Sequence, residues 1–212
     1  NIGEYPYKQY SIIQGGDGGM EYPMCTLITG EREYSSLFGV TAHELAHSWF
    51  HHLLGTNEAK YAWMDEGFTS FYDMLCEASV LGTENPYSSF YDRYFQLVQS
   101  GLEEPLTTHA DRFQYNFAYG VGSYSKGALF LAQLEYIMGA DKLMKTIKRY
   151  YDEFKFSHPT PNDFKRVAEK VSGMQLEWYL NDWVRTTNTI DYGVQKVEEK
   201  GRKTAVILEL SL

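Results

Sequence analysis

Basic residues are scarce in this sequence. Nineteen Lys and Arg stand against 28 Asp and Glu in 212 residues, a formal net charge of −9. No stripe of Lys and Arg is present, which argues against a nucleic-acid partner. An acidic protein instead favours cationic ends, such as a peptide N-terminus. Cysteine is scarcer still. Cys25 and Cys76 are the two present, without C-x-x-C spacing, so a thiolate metal cluster is not indicated. Cys76 follows Leu75 on a helical pattern and reads as a buried thiol. Whether the two thiols pair is left open, and with it the redox compartment. No run reaches the roughly 18 apolar residues of a membrane-spanning helix. Internal repeats and low-complexity tracts are also missing.

What remains is the composition of a folded protein, 43% hydrophobic and 22% charged, long enough for one good core or a domain and part of another. Aromatics reach 16%, with 18 Tyr, a residue that often lines clefts. The chain opens on Asn1 rather than Met, and its first residues read as interior sequence. It is therefore expected to be a processed or excised piece of a longer protein, of unknown localisation.

Periodicity predicts a short β-rich start, then helices. Tyr10 to Ile13 and Cys25 to Thr29 read as strands, separated by the turn cluster from Gly15 to Gly19. Helices are expected over Leu37–Leu54, Asp65–Leu81, Pro86 to near Gly101, Ser123–Met138, Asp141–Phe154, Pro161–Val171 and Leu176–Val184. Glycines stop several of them, and Thr160-Pro161 supplies a cap and a first-turn proline. Leu102–Gly122 has no clear period and reads as a long surface loop. The tail alternates at Val194–Val197 and Thr204–Leu210 around Lys200-Gly201, a hairpin.

One motif carries chemistry. His43-Glu44-Leu45-Ala46-His47 is H-E-x-x-H within a predicted helix. Residues four apart share a helix face, so both imidazoles address one point. Imidazole nitrogen suits zinc, and Glu44 is placed to activate the attacking water as general base. A catalytic zinc site needs a third protein ligand and an open position. Glu66, nineteen positions after His47 at the start of the next helix, fits that place. The bland alternative is an accidental pentapeptide on an amphipathic helix. The downstream glutamate weighs against it.

These residues, with the W-x-x-E-G-F context of Glu66, resemble the gluzincins, and within them the aminopeptidase N and leukotriene hydrolase family of zinc metallopeptidases. Gly18-Gly19-Met20-Glu21 resembles that family's exopeptidase motif, with Tyr22 where the family usually carries Asn. Ser123-Tyr124-Ser125-Lys126-Gly127-Ala128 resembles its Y-x-K-G-A segment. The resemblance implies one zinc ion on His43, His47 and Glu66. It implies that Glu21 anchors the substrate ammonium, that Gly18, Gly19 and Met20 contact the peptide, and that Tyr124 donates to the oxyanion. Peptides with a free N-terminus are the implied substrates.

The fold class implied is α+β, mainly α. A thermolysin-like catalytic domain, N-terminally incomplete, is expected over 1–188. The beginning of a β-sandwich domain is expected over 189–212, and the remaining domains of a parent protein are expected partners. Two rivals stay open: a zinc endopeptidase of thermolysin type, and a non-catalytic peptidase-like binding module. His51 continues the zinc face one turn further and is left out of the ligand set. His109 and His158 read as loop residues, and Asp65 as a cap or an orienting partner of a histidine. Trp49, Phe50, Phe68, Phe71 and Tyr72 read as helix packing, and Glu103-Glu104 as a solvated loop.

Overall fold

The computed structural model describes residues 2–189, 191–201 and 203–211. It is mainly helical, with two small sheets. Strands β1 (Ser11–Gln14), β2 (Met20–Tyr22) and β3 (Cys25–Ile28) form the first sheet in the order β1-β3-β2. β1 runs parallel to β3 and β2 antiparallel to it, with Glu21 opposite Thr26. One edge of β2 therefore stays free of a strand partner in this sheet.

Helix α1 (Tyr34–Ala46) is shorter than its apolar pattern predicts. The chain continues as a π-type turn, Ser48–Leu53, interrupted by Phe50 (φ −99°, ψ 95°) and His51 (φ 117°, ψ −52°). His51 thus sits in backbone space that favours glycine. The short helix α2 (Glu58–Ala62) and a π-type turn, Trp63–Gly67, lead into α3 (Phe68–Leu81). After α4 (Ser88–Ser100), the expected loop holds a 3₁₀ turn (Ala110–Arg112) and α5 (Asn116–Gly120). These are too short to leave a period in the sequence. A π-type segment, Val121–Lys126, then joins α6 (Gly127–Met138), followed by α7 (Ala140–Phe154). α8 (Pro161–Ser172) begins with a complete capping box between Thr160 and Asp163, and α9 (Glu177–Arg185) follows. The hairpin is present as β4 (Asp191–Lys200) and β5 (Lys203–Ser211), with a bulge between Val194 and Lys196. Asn1 and Leu212, the outer ends of the two expected domains, lie outside the described residues.

The core is aromatic and forms where α3, α6, α7 and α8 meet. Trp63 packs edge-on against Phe130 at 4.9 Å, and Phe68 against Phe164 at 5.0 Å. Phe50, Phe68 and Phe71 are buried in it, while Trp49 and Tyr72 are partly buried against it. Two readings need correction. Cys76 is exposed, because it lies on the outer face of α3. Glu103 is not solvated: its side chain is 7% exposed and accepts a 2.7 Å bond from Lys126 Nζ, itself 3% exposed. A buried charge demands a partner, and Lys126 sits in the segment that carries Tyr124.

The Gly67–Gly127 contact fixes how the two π-type turns approach. A methyl group on Gly67 would lie 2.5 Å from Gly127 Cα, and one on Gly127 would lie 2.9 Å from Gly67 Cα. Backbone therefore meets backbone, which brings Glu66 and Tyr124 to the same side. Gly127→Ala should cost about 1–3 kcal/mol by overpacking. Chemical denaturation of the variant against the parent chain measures it, and an unchanged midpoint would show that the turns are free to separate.

Candidate active site

Helix α1 presents His43 and His47 from successive turns, with ring centroids 4.8 Å apart. Their Nε2 atoms lie 3.1 Å from each other. Glu66 Oε2, arriving from the turn before α3, lies 3.2 Å from His43 Nε2 and 3.3 Å from His47 Nε2. The three donors form a nearly equilateral triangle. Both outer nitrogens are engaged: His43 Nδ1 lies 2.5 Å from Asp73 Oδ2, and His47 Nδ1 lies 2.7 Å from Asp65 Oδ1. An ionised carboxylate only accepts, so it holds the ring proton on Nδ1 and leaves the Nε2 lone pair facing inward.

That donor set fits a zinc ion. Two nitrogen lone pairs and a carboxylate oxygen converge at a spacing that leaves one point about 2 Å from all three. The electrostatics agree. Burial alone would lower His43, but hydrogen bonds to Asp73 and Glu66 raise it to about 9. His47 is raised well above its ordinary value in the same way, by Asp65 and Glu66 acting against burial. Burial would raise Glu66, but the two imidazoles hold it low. The pocket favours positive charge.

Around the triangle lies a cleft of about 400 Å³, which Gly19, Met20, Glu21, Glu44, Tyr119 and Tyr124 help to line. Glu44 is 5% exposed, and its Oε2 has no hydrogen-bond partner. Burial raises this carboxyl to about 7; His43 and His47 oppose that rise, and Glu21 and Glu66 add to it. The Tyr10 hydroxyl donates to the Glu44 backbone carbonyl at 2.9 Å. Gly19 passes directly over the Glu44 carboxylate, where a Cβ would clash. Tyr124 stacks on His43 at 5.7 Å, nearly parallel, and burial together with Glu66 raises its phenol.

Of the residues singled out from the sequence, His43, Glu44, His47, Glu66, Gly19, Met20, Glu21 and Tyr124 meet at this cleft. Gly18 is not among its lining residues, and its carbonyl accepts Arg32 Nη2 at 2.6 Å. His109 caps the Ala110–Arg112 turn, and exposed His158 bonds the Gly55 carbonyl. Asp73 was not anticipated. It lies seven positions after Glu66, two turns along the same face, so the helical period could have found it. Tyr119 also went unseen, since a lone tyrosine among 18 carries no signal.

Residues 4–183 match the model of the peptidase family M1 domain. Mouse aminopeptidase B is 28% identical over 85% of this chain, and pig (Sus scrofa) glutamyl aminopeptidase 26% identical over 76%. The matched stretch spans 32% of the first protein and 17% of the second. Two solved structures share the fold. An M1 zinc metallopeptidase from Deinococcus radiodurans superposes with TM-score 0.71 at 24% identity, over 89% of this chain and 42% of that one. Native yeast LTA4 hydrolase superposes with TM-score 0.73 at 22% identity, over 89% and 33%. Because that family model covers residues 4–183, most of its length, this chain belongs to peptidase family M1.

Proposed function

We propose that this chain carries the catalytic centre of a zinc aminopeptidase, with one zinc ion on His43, His47 and Glu66. The observation that carries the reading is the donor triangle, with edges of 3.1, 3.2 and 3.3 Å and both Nδ1 protons held by carboxylates. When bound there, zinc supplies a Lewis acid that makes water nucleophilic near neutral pH and polarises a peptide carbonyl. The aminopeptidase names of the relatives support this reaction class.

The chain's own residues divide the remaining work. Glu44, buried and without a partner at Oε2, takes the proton from the attacking water and returns it to the leaving amine. Its raised pKa suits a base that must also act as an acid. Tyr124 keeps its proton and donates a hydrogen bond to the oxyanion as it forms. Glu21 receives the substrate ammonium, since it stands within 4.8 Å of both Glu44 and His47 donor atoms. That distance confines cleavage to the first peptide bond. The free edge of β2 at Met20 pairs with the peptide backbone, and Gly19 lets it approach. Residues 1–188 form the thermolysin-like catalytic unit in this reading, and 189–212 begin a β-domain.

Glu44→Gln should lower kcat by about 10²–10⁴-fold with zinc still bound, measured by release of an arylamine from aminoacyl substrates. Peptides with an acetylated N-terminus should resist cleavage, and Glu21→Ala should erase the preference for a free amine. Equal cleavage of free and acetylated peptides by the unaltered chain would favour the endopeptidase reading. Asp73→Ala should weaken zinc binding about 10–100-fold, because His43 loses the acceptor that orients it. Competition with a chelator of known affinity measures that loss.

A further inference from the structure

A second group of metal-ligating side chains lies on the same cleft, outside the triangle. Glu21 of β2, His51 of the turn after α1, Glu58 at the start of α2, and Asp65 place one donor atom each within 4.8 Å of one another. They come from four separate segments of the chain. His51 Nδ1 lies 3.1 Å from Glu58 Oε2 and 3.4 Å from Asp65 Oδ2. It nevertheless has no hydrogen-bond partner, although the atom is buried. The ring does not line up with either oxygen at hydrogen-bond angles. The backbone points the same way. His51 holds φ 117°, a conformation costly for any side chain with a Cβ, and this places the ring among the carboxylates.

From this convergence we propose that Glu21, His51, Glu58 and Asp65 bind a second divalent cation of the zinc type, distinct from the ion on His43, His47 and Glu66. One imidazole nitrogen with three carboxylate oxygens suits borderline cations such as zinc, and donors within 4.8 Å of one another can close on a single ion. Three carboxyl groups gathered around one imidazole form a donor set that a divalent ion can draw together. Asp65 joins the two sites: one of its oxygens faces His47 and the other faces His51. It is 3% exposed, so its position is set by packing and does not drift with solvent. Glu21, Glu58 and Asp65 all open onto the cleft, which gives the ion a path in.

The site stands on these four donors alone; its consequence rests on the role given to Glu21. A cation held there competes with the substrate ammonium for the same carboxylate. Zinc above the amount that fills the first site then inhibits, and a free-amine peptide opposes that inhibition.

Equilibrium dialysis against zinc followed by elemental analysis tests the proposal on the whole chain. The native protein should hold two ions, one tightly and one more weakly. His51→Gly should hold only the tight one. Glycine accepts the backbone at this position without strain, so the variant keeps its fold while losing a ligand. Glu58→Gln should weaken the second ion alone, and His43→Ala the first. A native chain that saturates at one ion overturns the proposal and leaves the peptidase reading intact, as does a His51→Gly chain that still holds two. Loss of the tight ion from His51→Gly together with its retention by His43→Ala would overturn both.

Discussion

Two imidazole nitrogens stand 3.1 Å apart in this protein with a carboxylate oxygen closing the triangle. Lone pairs at that distance repel unless something positive lies between them. The arrangement is held from outside. Asp73 and Asp65 fix the ring protons on the far nitrogens, and the helix spacing fixes the rings. Each imidazole would lose basicity through burial, yet each binds a proton more tightly than usual because carboxylates surround it. A proton and a zinc ion answer the same electrostatic demand. The order of construction is therefore carboxylate, imidazole, cation. Removing an outer carboxylate should reach the ion through the ring it orients.

The rest of the fold serves that triangle by holding three chain segments at short range. Gly67 follows Glu66 and Gly127 begins the helix after Tyr124, and the two meet backbone to backbone. Any side chain there would part the turns and move Glu66 away from Tyr124. On the other flank, Gly19 brings β2 against the Glu44 carboxylate. Lys126 is tied into the buried Glu103 pair, and the Trp183 indole donates to its carbonyl at 3.2 Å. A buried pair of this kind adds little net stability but costs about 3–5 kcal/mol to break on one side. It therefore acts on the Tyr124 segment as a constraint on position.

Much of this was legible in the sequence, for reasons that can be named. His43, Glu44 and His47 were readable because the helical period converts spacing into direction. Glu66 and Tyr124 were readable because motifs surround them. Helices α3, α4, α6 and α8 end at glycines and α8 opens with a capping box, and those signals are local. What escaped was nonlocal. α1 ends at Ala46 because the chain must turn at His51, and nothing in the apolar pattern of the following residues announces it. Glu103 looked solvated because its partner lies 23 positions away. Asp73 was available to the same periodicity that paired the two imidazoles, but a lone aspartate attracts no notice until the ring it holds is in view.

His51 joins these strands of argument. In the sequence it is one more histidine on an extended zinc face. In the fold the helix has already broken, so its ring turns away from the triangle and toward Glu58 and Asp65. A glycine would adopt this backbone without strain, and a histidine holds it under strain. Strain of that kind persists only where the surroundings enforce it. Here the surroundings are carboxylates, one of which also holds the His47 ring. Asp65 turns one oxygen to His51 and the other to His47, so both rings share it. The two halves of the cleft meet at a single buried carboxylate, with one oxygen toward each histidine.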